Sequence, residues 1–299
     1  MNNHFSWVKT HNEITKYLNK KENNQIDLIN LLKSIGITSF NDKTDNGINI
    51  HDIELNEIDP FTFFCYIYKY GEQKRLSFLQ EIAKKIGAPI PSDDKGIPSS
   101  QAQKVWLFPY KHERTNNELP RLWDFFNKAV GNRITDLDFL DVLKIKNVGK
   151  AKLTEALFYI LPEKYLPING PTKPFIEFEL GLSPVFGTYS EYLDLLKKIK
   201  TKTNIPFYEL SYKALLWEEN NKKTKMINEF KYSKQLLSFL DQAKTDNLKT
   251  KHYQKVFRKT KVKLALVKEI QQKFLGYLFY KILLQQVTEF TLSISFTKA

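Results

Sequence analysis

Net charge divides this chain more sharply than any other property, and a segment with a large surplus of one sign cannot be folded into a dry core. Between Lys222 and Lys263 there are 13 Lys or Arg against only Glu229, Asp241 and Asp246, a surplus of ten in 42 residues. Residues 1–219 hold 29 basic and 28 acidic side chains, whereas residues 220–299 hold 17 and 5, so +12 of the total +13 lies after the midpoint. A surplus this local is the electrostatic footprint of a surface that faces phosphates or an anionic sheet. The partner it implies is a nucleic acid.

The rest of the composition narrows the class. A length of 299 residues with 42% hydrophobic and 14% aromatic side chains is enough for two domains with buried cores. The opening Met1-Asn2-Asn3-His4 has no basic-then-apolar pattern, so no signal peptide is expected. The longest apolar run, Phe274 to Leu284, is interrupted by Lys281 and is too short to span a bilayer. Cys65 is the single cysteine, which rules out a disulfide framework and suits the cytoplasm. The five histidines, at positions 4, 11, 51, 112 and 252, share no metal-ligand spacing. No metal, no cofactor and no membrane association are expected.

Along the first 217 residues the periodicity is mostly helical. Ile26, Leu28, Ile29, Leu31, Leu32 and Ile35 form a stripe that ends at Gly36, and another helix is expected around Ile14 to Leu18. Asn41 to Asn49 is rich in Asn, Asp, Lys and Gly and reads as an exposed loop. In Asp59-Pro60-Phe61 the aspartate can accept a first-turn amide and the proline loses nothing at the first helical position, so a helix begins there and buries Phe61, Phe64 and Tyr68. Glu72 to Ile86 is a helix with Leu76, Leu79, Ile82 and Ala83 inward and Gly87 at its end. Residues 88–104 hold three prolines and read as a long irregular connection. Trp106, Phe108 and Tyr110 alternate as a short half-buried strand would. Leu119, Leu122, Trp123, Phe126 and Ala129, then Leu153 to Ile160, then Tyr192 to Ile199, and finally Tyr212 to Trp217 return to helical spacing.

Several groups invite a chemical reading. The pair Glu57 and Asp59 reads as a helix cap rather than as acid and base. Asp136, Asp138 and Asp141 read as a solvated helix start rather than a magnesium site. Asn147-Val148-Gly149-Lys150 fails as a phosphate loop, because Lys144 stands where its first glycine belongs and Ala151 follows the lysine. As a turn between two short helices it can still offer backbone amides to a phosphate. Glu177-Phe178-Glu179 lacks the lysine two residues on that nuclease chemistry requires, and a solvent-facing edge explains it better. No catalytic residue is assigned.

Two stretches resemble a known family. Glu57 to Phe64, Gly96-Ile97-Pro98, Trp106 with Phe108, Leu122-Trp123 and Leu153-Thr154 to Pro167 look like the leader domain of McrB-like restriction proteins, over about residues 5–215. Phe239 to Ala243, Lys251-His252-Tyr253 and Val262-Lys263-Leu264 resemble the opening of the McrB N-terminal DNA-binding domain. In that family the text continues Ser-Phe-Gly-x-Gly-Asn, then Pro-Trp, then Gly-Ile-Tyr-Pro-Val, whereas here it continues Ala265-Leu266-Val267-Lys268. Synonymous codons for the residues after Leu264 can be chosen that give the family's text in a shifted frame, so a one-base deletion is expected near the codon for Leu264.

The expected organisation is therefore a leader domain over 1–217, a linker over 218–229, a truncated DNA-binding domain over 230–264 and an out-of-frame tail over 265–299. The fold class is mainly α with a few short strands (α+β), the helical leader being followed by a basic helix-strand fragment. The resemblance implies a DNA-binding, non-motor part of a restriction system that recognises modified bases such as 5-methylcytosine in antiviral defence, working with motor and nuclease subunits. By itself the chain is expected to be no enzyme. The basic side chains expected to meet DNA phosphates are Lys249, Lys251, Lys255, Arg258, Lys259, Lys261 and Lys263. The rival is a protein-interaction or assembly module with no nucleic-acid role. Sequencing the gene tests the shifted frame: its codons should translate, one base out of register from Leu264, into the family's Ser-Phe-Gly-x-Gly-Asn and Pro-Trp. Codons that forbid this translation would dismiss the deletion.

Overall fold

The segment from Asp59 to Tyr68 sets the centre of the fold, because it has no polar face to turn to water. Pro60-Phe61-Thr62-Phe63-Phe64-Cys65-Tyr66-Ile67-Tyr68 is a single helix, and all nine of its residues are buried. A helix apolar on every side must be surrounded by others. The computed structural model of the protein describes residues 4–100, 105–222 and 224, nearly all within a unit spanning Met1–Asn220. These residues form a mainly helical α+β fold with one two-stranded antiparallel sheet. The expected helix over 230–243 and the strand start at Lys261 to Leu264 lie outside the described residues.

In chain order the elements are α1 (Trp7–Leu18), α2 (Gln25–Ser34), β1 (Asn41–Asp45), β2 (Ile50–Glu54), α3 (Pro60–Tyr68) and α4 (Glu72–Ile86). There follow α5 (Glu118–Val130), α6 (Asp136–Leu143), α7 (Lys150–Ile160), α8 (Thr172–Phe178) and α9 (Tyr189–Lys202). A last helix, α10, covers 207–222 and so continues through the first residues of the segment that reads as a linker. α3 packs on α2, α4, α5 and α7. Phe61 meets Phe125 and Phe126 of α5 with ring centroids 6.0 and 5.9 Å apart, and Tyr68 lies 4.9 Å from Tyr159 of α7. Each such side chain taken from water contributes roughly 1.5–3 kcal/mol.

Both ends of α3 are buried, so their backbone groups need partners inside the protein. As expected, Asp59 caps the start: its Oδ1 accepts from the amides of Phe61 and Thr62 at 2.9 and 3.0 Å. At the other end Ser100 donates through Oγ to the Cys65 carbonyl at 2.7 Å and through its amide to that of Tyr68 at 3.0 Å. Burial holds the Asp59 carboxyl above its ordinary range and pushes the Cys65 thiol up to about 12, which leaves that sulfur an inert core group.

Ser100 closes the irregular connection after α4, and that connection is tied down along its length. Thr10 donates to the Pro89 carbonyl, Gln80 to Pro91, Trp7 to Lys95 and Tyr159 to Pro98, at 2.7 to 3.0 Å. The amides of Phe5 and Ser6 meet the Asp93 carboxylate, and buried Arg75 pairs with Asp94. Gly96 has φ +77°, and a Cβ there would stand 2.7 Å from that of Tyr212 on α10, so this position requires glycine.

Three local expectations change. Asn41 to Asn49 is not a loop: it forms β1 and the turn of a hairpin paired from Asn41↔Glu54 to Asp45↔Ile50. The turn is set by Gly47 at φ +83° and by Asn46 Oδ1, which accepts from the amides of Ile48 and Asn49. Trp106 to Tyr110 is not a strand, since Leu107 and Phe108 are both buried and the Leu107 amide donates to the Thr62 side chain at 3.1 Å. In α4 the inward face is turned slightly, so Arg75 and Phe78 are buried while Leu76 is half-exposed.

His11 joins α1, α3 and α7. Its Nδ1 lies 2.6 Å from the Tyr159 carbonyl, which can only accept, so Nδ1 carries the proton and Nε2 accepts from the Tyr68 hydroxyl. Burial lowers its pKa to about 3. The unfolded chain therefore binds a proton below about pH 6.5 that the folded chain refuses until about pH 3. The contribution of a neutral His11 is complete above pH 6.5 and is lost as pH falls through that window, at about 1.4 kcal/mol per pH unit. The stability gap between the parent protein and His11→Gln, followed by urea unfolding, should narrow at that rate between those limits. A constant gap would show that His11 is not buried neutral.

Candidate nucleic-acid interface

The hairpin is held against the molecule by a buried carboxylate on β1 and by the ion pair of Glu54 on β2 with Lys33 of α2. Asp42 is buried; its Oδ1 accepts from the Lys111 amide at 2.9 Å and its Oδ2 pairs with Arg114. His112 Nδ1 donates to the Lys43 carbonyl at 3.1 Å, and the Arg114 guanidinium lies 4.9 Å from the centre of the Phe108 ring. These contacts fix residues 105–114 beside β1. Trp106 is fixed further: its indole donates to the Tyr66 hydroxyl at 2.6 Å, and its carbonyl accepts from Lys152.

Between the hairpin and this segment lies a groove of about 540 Å³. Its aromatic side is made by Tyr66, Trp106, Phe108 and Tyr110. Trp106 packs on Phe108 with centroids 4.9 Å apart and meets Tyr110 edge-on at 5.5 Å. Tyr110 is 40% exposed, with one face of its ring stacked on His112 at a centroid distance of 6.1 Å. Lysines reach the groove from three elements: Lys43 from β1, Lys69 from the end of α3 and Lys146 from the turn between α6 and α7. Lys43 Nζ lies 5.4 Å from the Tyr110 ring centre, while Lys69 Nζ lies 4.8 and 5.2 Å from those of Tyr66 and Tyr70.

The cations are not equivalent. Lys146 is paired with Glu113 at 2.6 Å, and Lys43 stands opposite Asp52 in the hairpin register. Lys69 makes no ion pair with a carboxylate among the described residues. It is half-buried, and loss of water lowers its pKa. A half-buried ammonium held over two aromatic faces is attracted by their quadrupoles, and no carboxylate of the described residues neutralises it.

The other expected groups serve the fold. Asp138 completes a capping box with Thr135 and pairs with Lys128 at 2.6 Å; Asp141 pairs with Arg121; Asp136 accepts from the Ser190 amide. Glu177 and Glu179 lie at the exposed end of α8, and Glu179 accepts from the Trp217 indole at 2.5 Å. In the α6–α7 turn Asn147 takes φ +80°, and Lys150 and Lys152 are drawn to the carbonyls of Phe186 and Trp106. Among the described residues no group of three or more His, Cys, Asp or Glu is arranged to hold a metal ion. A further carboxyl, Glu155, accepts from Asn169 at 2.7 Å and is pushed up to about 6 by burial, but it does not line the groove. Lys249, Lys251, Lys255, Arg258, Lys259, Lys261 and Lys263 lie outside the described residues.

Residues 7–217 match the family described as a domain of unknown function (DUF8425). The chain belongs to that family. No curated protein and no solved structure matches it. The groove lies wholly within the DUF8425 segment, since its lining runs from Ser39 to Asn147. No helix among the described residues of this DUF8425 protein is long and apolar enough to cross a membrane.

The sequence does not point to the groove, because its lining is scattered over four elements and the hairpin wall reads as a loop. One local clue is present: Asn46-Gly47 is a preferred hairpin dipeptide. The wall should depend on Asp42. Asp42→Ala leaves the Arg114 guanidinium, 13% exposed, without its main partner, and the unfolding free energy should fall by about 3 kcal/mol in a denaturant titration. A decrease below about 0.5 kcal/mol, the range of an ordinary surface substitution, would show that the pair is not what fastens the hairpin.

Proposed function

We propose that the chain is the non-motor N-terminal part of an McrB-like, modification-dependent restriction protein, and that it binds DNA in a cytoplasmic defence system. The observation that carries this reading is the partition of charge. Residues 1–219 are nearly neutral and residues 220–299 carry +12, which is the pattern of a folded module joined to a segment that meets a polyanion. Binding is to phosphates and is sequence-tolerant, supplied by Lys249, Lys251, Lys255, Arg258, Lys259, Lys261 and Lys263. The chain performs no chemistry of its own. Motor and nuclease activity belong to partner subunits, and recognition of the modified base belongs to an intact parent protein.

A second reading, an assembly module, is favoured by a different observation. Phe178 is 73% exposed and stacks on Trp217 with centroids 6.3 Å apart, and Val185 nearby in the chain is 81% exposed. Apolar surface of this kind suits a protein partner.

Duplex binding by the full chain separates the two. Binding should weaken steeply as salt rises, and replacing Lys251, Lys255, Lys259 and Lys261 together by Gln should reduce the slope of log K against log salt by about 0.9 for each phosphate that is no longer neutralised. A full chain that ignores duplex DNA at low ionic strength would leave the assembly module as the better reading.

A further inference from the structure

The groove between the hairpin and residues 105–114 is unlike a packing defect. Its aromatic wall is held by hydrogen bonds: Trp106 by Tyr66 and Lys152, and the chain at Leu107 by Thr62. Its rim carries an ammonium, Lys69, that is half-desolvated and lacks a carboxylate partner among the described residues. A ligand that suits both features must present a flat π-face and a negative charge a few ångströms apart. A purely aliphatic peptide offers neither anion nor ring, and a peptide acidic only through Asp and Glu offers no ring for Tyr110. Duplex DNA has its bases stacked inward, so it presents charge without a free ring face. An unpaired nucleotide has both, since every base has a π-face and every link a phosphate.

We propose that this groove binds an unpaired stretch of nucleic acid, with a base stacked on Tyr110 beside Trp106 and a backbone phosphate at Lys69. Lys146, paired with Glu113, and Lys43, which faces Asp52 in the hairpin register, flank the strand. The site is built entirely from residues between Ser39 and Asn147. Sequence preference is weak, because stacking and phosphate binding read no base edge. Both DNA and RNA strands present the same chemistry, and the 2′-hydroxyl is what would separate them.

The test uses the full chain, a fluorescent oligothymidylate, the matching oligouridylate and a duplex of similar length, read by anisotropy at fixed salt. Tyr110→Ala should weaken single-strand binding about 5- to 150-fold, the effect of removing one base stack, and change duplex binding less than about twofold. Tyr110→Phe keeps the ring and should bind as the parent does. Lys69→Gln should lower the salt slope for the single strand by about 0.7, the value of one neutralised phosphate. Phe178→Ala removes an exposed ring elsewhere and should change neither. The proposal is overturned if Tyr110→Ala binds single strands normally, if Phe178→Ala weakens them equally, or if neither oligonucleotide binds while the duplex does. Single-strand binding sensitive to Tyr110 without any duplex binding would keep the groove and reject the duplex-binding function proposed above.

Discussion

A nine-residue helix with no solvated face is the constraint from which the rest of the DUF8425 domain follows. α3 cannot lie on a surface, so α2, α4, α5 and α7 must close around it, and each brings its own apolar stripe. Burial of the helix ends sets a second demand, because orphan amides and carbonyls cost roughly 1–3 kcal/mol each if left unpaired. Asp59 answers it at one end and Ser100 at the other. The first is local in sequence and the second comes from a loop about thirty residues away, so the position of that loop is dictated by the helix.

The same helix also supplies the groove. Tyr66 holds the Trp106 indole, Thr62 holds the Leu107 amide, and Lys69 stands just past the helix C-terminus. Aromatic side chains that would otherwise complete the core are thereby displayed at its edge, with the hairpin as the opposite wall. Asp42 is what makes a small, mostly exposed two-stranded sheet into a wall, because such a hairpin has little apolar area with which to hold itself in place.

What can be read from the residues alone is whatever local chemistry decides. The α3 cap, the Gly36 and Gly87 helix ends and the stripes of α5 and α9 depend on neighbours a turn away, and each matches its expectation; in α2 Leu28, Ile29 and Leu32 are buried as expected, while Ile26 is exposed. The hairpin is hidden because its strands are polar on both faces and carry no period-two signal, leaving only Asn46-Gly47 to mark it. Trp106 to Tyr110 misleads in the opposite way: its aromatics alternate in the sequence, but Leu107 between them is buried as well, and its amide and the Trp106 carbonyl bond to the side chains of Thr62 and Lys152 rather than to a strand. The groove is invisible for a geometric reason, since nothing in the order of Lys43, Lys69, Trp106 and Lys146 announces that they meet. The basic residues from Lys249 to Lys263, the clearest feature of the sequence, lie outside the described residues.

Residues 88–100 carry a consequence for how the domain opens. A surface connection normally exchanges its amides through small fluctuations that leave the core untouched. This one is fastened to α1, α4, α7 and α10 by separate hydrogen bonds, and its Gly96 sits where a methyl group would collide with α10. It cannot lift away without loosening four helices together. Despite its prolines and irregular backbone it belongs to the same cooperative unit as the helices.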